Sequence, residues 1–107
     1  VGLTEGLDLM RRERWFDAHE ELEAAWRAAE PEERNFYQGL VHVTVAWHHA
    51  AGANARGAAG QLRKARTRLD GYRPSHRDVD VDRVLGQVEA AEARIAVGLL
   101  DLLPVRV

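Results

Sequence analysis

At 107 residues the chain has the length of one domain, enough to bury somewhat over ~60% of the surface its unfolded form exposes. It contains no cysteine, which excludes disulfides, thiolate zinc sites and cysteine nucleophiles and leaves His, Asp and Glu as the side chains able to ligate a metal. The net charge of -2 hides an uneven distribution: residues 1–55 carry ten acids and five bases, 56–77 seven bases and one acid, and 78–107 six acids and three bases.

The first predicted helix spans about residues 4–13, with Thr4 as its cap and Leu3, Leu7 and Met10 at i, i+4 and i+7 as its apolar stripe. Asp17 followed by Glu20 has the form of a capping box and places a second helix over about 17–30, with Pro31 ending it or opening the next. Trp15 falls at the corner between the two helices and is expected to be half exposed, whereas Trp26 falls on the second helix's core face.

A third helix is expected from about residue 32 to 52 or 54. Its core face is Phe36, Leu40, Val43, Trp47 and Ala50, and a polar stripe of Gln38, His42 and His49 lies on the far side. Between Asn35 and Ala55 there is no charged residue. That run is long enough for a bilayer, but Gln38, His42, Thr44, His48, His49 and Asn54 would each sit unsatisfied in hydrocarbon, so a central helix buried in a bundle accounts for it and no membrane span is expected.

Gly52 and Asn54 suit a helix end. Ala58, Leu62, Ala65 and Leu69 mark a fourth helix, stopped at Gly71, whose small residues near 57–60 allow close approach to the third. Residues 71–78 read as the longest loop, with His76 exposed in it. Val81, Val84, Leu85, Val88, Ala91 and Ile95 form the stripe of a fifth helix, which Leu99 to Leu103 continue or follow as a tail closed by Pro104. No stretch alternates like a strand. The fold class is all-α: one compact bundle of about five helices, residues 1–107 forming a single helical domain. With no secretory signal legible, a cytoplasmic location is expected.

His19, Glu23 and Trp26 at i, i+4 and i+7 put an imidazole and a carboxylate together on the border of the second helix's apolar face, with Glu20 further round. Docked against Gln38, His42 and His49, this border would gather a polar site of His19, Glu20, Glu23, Gln38 and Asn54 for a small ligand. His19, Glu23, His42 and His49 are the candidate set for a divalent metal. The chain has no HExxH and no Glu-x-x-His, so neither familiar helical metal motif is present. Three other readings compete: a hydrogen-bonded pair that only fixes helix packing, a metal-dependent hydrolase-like enzyme with Glu20 or Glu23 as base, and nucleic-acid binding through the basic segment 56–77. The last is disfavoured, because acidic helices flank that segment and no aromatic is interleaved in its helix. A patch of Trp15, Leu99 and Leu102, if exposed, would favour a homodimer.

The combination Phe16-x-Ala18-His19-Glu20-x-x-Glu23-x-x-Trp26, then Phe36-Tyr37-Gln38-Gly39-Leu40, then Asn54-x-x-Gly57-Ala58, resembles the domain of unknown function 309 family over about residues 3–70. That resemblance implies a small prokaryotic all-helical protein. It points to His19, Glu20, Glu23, Trp26, Gln38, Gly39 and Asn54 as pattern positions without implying a reaction.

Overall fold

The computed structural model describes residues 2–107. Five helices follow one another: α1 (Gly2–Arg11), α2 (Trp15–Ala28), α3 (Arg34–Ala51), α4 (Ala55–Leu69) and α5 (Val81–Ala96). Each packs on its predecessor, with the central α3 held between α2 and α4. The α3 face expected from its spacing is the core: Phe36, Leu40 and Val43 are fully buried, and Trp47 and Ala50 nearly so. Leu22, Leu62 and Leu85 carry the other helices into the same core, each worth about 1.5–3 kcal/mol of apolar transfer. Among the described residues no helix is long and apolar enough to cross a membrane.

Helix ends depart from expectation for a definable reason. Three helices close in the same hydrogen-bonded motif, in which the residue after the cap is left-handed and the next amide reaches back five residues: Arg14 N to Leu9 O, Asn54 N to His49 O and Leu99 N to Arg94 O. Only the last uses glycine, Gly98 at φ 83°; the others place Glu13 (φ 57°) and Ala53 (φ 61°) there. Helix α1 therefore stops at Arg11, before the expected residue 13, and Gly52 is the cap residue of α3 and not its left-handed stop. The predicted caps Thr4 and Asp17 lie inside helices: α1 already runs at Gly2, and α2 starts at Trp15, with Asp17 paired to the Arg14 side chain.

The segment expected to be a loop is a fastening. A 3-10 turn (Asp70–Tyr72) leads into a minimal antiparallel hairpin, β1 (Ser75–His76) and β2 (Val79–Asp80), with His76 opposite Val79. Its two-residue turn, Arg77 and Asp78, has positive φ at both positions (48° and 61°), the hairpin geometry that Asn-Gly usually supplies. Two-residue strands are too short to alternate visibly, and Arg-Asp hides the turn. Beyond α5 the tail is irregular and crosses back over the bundle: Trp47 Nε1 donates to Leu103 O at 2.8 Å, Gln87 pairs with both backbone groups of Arg106, and Val105 is buried.

Candidate functional site

Helix α2 presents His19, Glu23 and Trp26 along one edge, and that edge meets Gln38, His42 and Val45 of α3. Together with Val41 and Gln61 they line an open depression of about 310 Å³. The α2 border docks on the Gln38 and His42 part of the expected α3 stripe, without His49, and α4 is an unforeseen third wall.

Within this depression the His19, Glu23 and His42 side chains have specific partners. His19 Nε2 contacts a Glu23 carboxylate oxygen one turn on, and Arg27 Nη2 donates to the other oxygen at 3.1 Å. His42 Nδ1 lies 2.7 Å from Gln61 Oε1. An amide oxygen can only accept, so the proton sits on Nδ1 and a neutral His42 keeps its lone pair on Nε2. Burial holds the His42 imidazole below its ordinary range, and the nearby Lys64 and Arg68 charges push the same way, against the opposing effect of the Gln61 hydrogen bond. The result at neutral pH is an uncharged acceptor nitrogen, without a hydrogen bond among the described residues, on the wall between α3 and α4.

Three expected members stand elsewhere. Glu20 is exposed and does not line the depression. Asn54 is the N-cap of α4, its Oδ1 accepting from Gly57 N at 2.9 Å, and its Nδ2 lies 3.3 Å from His49 Nδ1. His49 is drawn to this corner, nearly two turns along α3 from His42. The set His19, Glu23, His42 and His49 therefore does not converge, and among the described residues no three His, Asp or Glu side chains are grouped to hold a metal ion. Gly39 has a structural explanation: a Cβ there would lie 2.5 Å from Leu69 Cγ, so it permits the close α3–α4 contact that brings Gln61 to His42.

Sequence reasoning missed Gln61, which looked like any polar helix position, and misplaced Trp15. Trp26 is partly buried, packed against the core and lining the depression as expected of its face, whereas Trp15, expected half exposed, is only 8% exposed and belongs to the core. The postulated patch of Trp15, Leu99 and Leu102 is consequently not formed. His76 was missed as well. It is wedged at 4.7 Å from the Phe36 ring and 4.8 Å from Tyr72, with Nε2 at 2.8 and 3.0 Å from the two oxygens of Glu33, to which Arg77 Nε also donates. These two donors, Arg77 first, hold the Glu33 carboxyl below its usual range. Four of the seven basic residues in 56–77 are engaged at home: Arg66 bidentately with Glu92, Arg68 with Asn35, Arg73 with Asp70 and Asp82, and Arg77 with Glu33.

No curated protein and no solved structure matches the chain. Residues 3–61 match the family described as domain of unknown function (DUF309), a span that covers α1, α2, α3 and the first half of α4 and so three walls of the depression. The chain belongs to that family.

Proposed function

We propose that the depression between α2, α3 and α4 binds a small polar ligand. The observation that carries this reading is the gathering of His19, Glu23, Gln38 and His42 with Trp26 and Gln61 around one open concavity, with His42 neutral and its Nε2 uncommitted. A ligand N–H or O–H would donate to Nε2, the Gln38 amide would supply a donor and an acceptor, and Trp26 would cover an apolar part. The test is a fragment screen read by histidine side-chain nitrogen shifts. Binding that moves His42 and is lost in His42→Ala and Gln38→Ala, with helical content retained, supports the reading. Variants that only unfold would assign these residues to packing.

A second reading is a divalent ion at this depression. It is favoured only by the uncommitted Nε2 of His42 lining the same depression as the His19–Glu23 pair; His19, Glu23 and His42 are not grouped to hold an ion as they stand, and the pair would have to open and the side chains move together. Elemental analysis of untagged protein purified without chelator, compared with His19→Ala, tests it: near-stoichiometric metal lost in the variant supports it, and no metal after supplementation rejects it. Metal-dependent hydrolysis would follow only from the first outcome.

A further inference from the structure

A separate concavity of about 390 Å³ opens where the end of α1, the start of α5 and the tail beyond α5 meet. Its lining is three arginines, Arg11, Arg83 and Arg106, with Pro104, Val105 and Val107, and no Asp or Glu side chain lines it. Nine of the chain's fourteen arginines bond through their guanidinium to a carboxylate, an amide or a carbonyl. Of the five that have no such partner among the described residues, three are the ones gathered here. The acids next to them in sequence are engaged elsewhere: Asp8 with Arg12, Asp82 with Arg73, and Asp80 as the cap of α5.

The backbone brings these exposed cations together. Gln87 Nε2 donates to Arg83 O at 3.1 Å and to Arg106 O at 2.8 Å, and Gln87 Oε1 accepts from Arg106 N at 2.7 Å. One side-chain amide thus pins the tail arginine to the helix that carries Arg83, and Val105, 3% exposed, anchors the tail in the core next to it. Arg11 follows the fully buried Met10 at the end of α1. Arg83 also breaks a local rule: it is the third residue of α5, where the helix dipole favours an acid and opposes a cation. Like charges gathered around one space without a countercharge cost free energy, and such a cost with no internal compensation marks a functional position.

We infer that this concavity binds a phosphate monoester, its phosphoryl group taken by the guanidiniums of Arg11, Arg83 and Arg106 and its organic part laid against Pro104 and Val105. Guanidinium forks match phosphoryl oxygens, and three of them match a doubly charged group with three acceptor oxygens better than a singly charged carboxylate. The positive end of α5 adds to the same field. The space exceeds what a phosphate ion alone would fill, which leaves room for the group that carries it. The inference does not depend on the ligand proposed for the depression between α2, α3 and α4.

The experiment is a titration of the full chain with phenyl phosphate at low ionic strength, followed through the arginine Nε–Hε resonances, with benzoate as the singly charged comparison probe. Saturable binding is expected, weakened at least fivefold in Arg83→Gln and in Arg106→Gln, with benzoate at least tenfold weaker. Arg56→Gln, which alters an exposed arginine of α4 outside the concavity, should leave the affinity within twofold of wild type. Vesicles containing phosphatidic acid present the same chemical group: binding to them lost in the same variants would mark a headgroup as the source, and binding of phenyl phosphate alone a soluble ester, either in support. Without ligand, Arg83→Gln and Arg106→Gln should melt no lower than wild type, because neither guanidinium has an internal partner. Absent saturation by phenyl phosphate, equal affinity for benzoate, as large a loss in Arg56→Gln as in Arg83→Gln, or a lower melting temperature in both concavity variants would each overturn the inference.

Discussion

The chain holds two His–Glu pairs of opposite construction. His19 and Glu23 are neighbours on one turn of α2, partly solvated and fixed by the helix whether or not the rest of the bundle is present. His76 and Glu33 are 43 residues apart and meet only because the hairpin folds onto the start of α3, where Phe36 and Tyr72 enclose the imidazole. The first pair is decided by local geometry and contributes little to stability. The second is decided by the tertiary fold and fastens it. A similar chemical motif is therefore a surface feature in one region and a clamp in the other.

The clamp should give the largest loss when broken. Glu33→Ala removes the acceptor of two donors, His76 and Arg77, and should cost roughly 2–3 kcal/mol in denaturant unfolding, with the hairpin amides losing hydrogen-exchange protection first. A loss under 0.5 kcal/mol would show that the hairpin is held by apolar contacts alone. Gly39→Ala attacks the other region through its support: the added methyl meets Leu69, and roughly 1–3 kcal/mol should be lost as α4 is pushed from α3. The His42–Gln61 contact should loosen with it, visible as a shifted His42 resonance.

A smaller effect, about 1 kcal/mol, is expected for Asn54→Ala, because Asn54 caps α4. If Asn54→Ala instead left stability untouched and abolished ligand binding, the residue would return to the binding set.

The pH dependence of the two regions should also separate. The His42 pKa is lowered in the folded protein, so the unfolded chain takes up its proton first. The stability His42 contributes is complete above the ordinary value of 6.5 and lost as pH falls from there through the folded value. Glu33, also lowered, acts in the same direction but only below its ordinary 4.5. Stability measured from pH 7 to 5 should therefore fall in wild type and flatten in His42→Gln, whereas Glu33→Gln should leave that window's slope unchanged. The smallest change is expected for Glu23→Gln: a partly solvated intrahelical pair is worth ~0.3–0.5 kcal/mol, and a larger loss would mean that the His19–Glu23 pair is a packing element after all.

Wherever one helix sufficed to specify a feature, the sequence already contained it. The i, i+4, i+7 spacing of His19, Glu23 and Trp26 and the core face from Phe36 to Ala50 follow from 3.6 residues per turn, and both stand as that period requires. Gln38 and His42 share a stripe for the same reason. Helix ends were less legible, because Glu13 and Ala53 take the left-handed position that usually announces itself as glycine. Asp17 was misleading because a cap and a first-turn acid look alike when the true start lies two residues earlier.

The sequence by itself determined the five helices, their buried faces, the family and the half of the polar depression that α2 and α3 carry, because all of these rest on short-range periodicity and local motif. Only the tertiary structure decided that Gln61 closes on His42, that His49 and Asn54 belong to the α3–α4 corner, that Trp15 is buried, and that His76 and Arg77 clamp Glu33. The hydrogen-bonded partners among these lie between 5 and 44 residues apart, and such pairings are set by how whole helices and the hairpin pack, which no local spacing encodes.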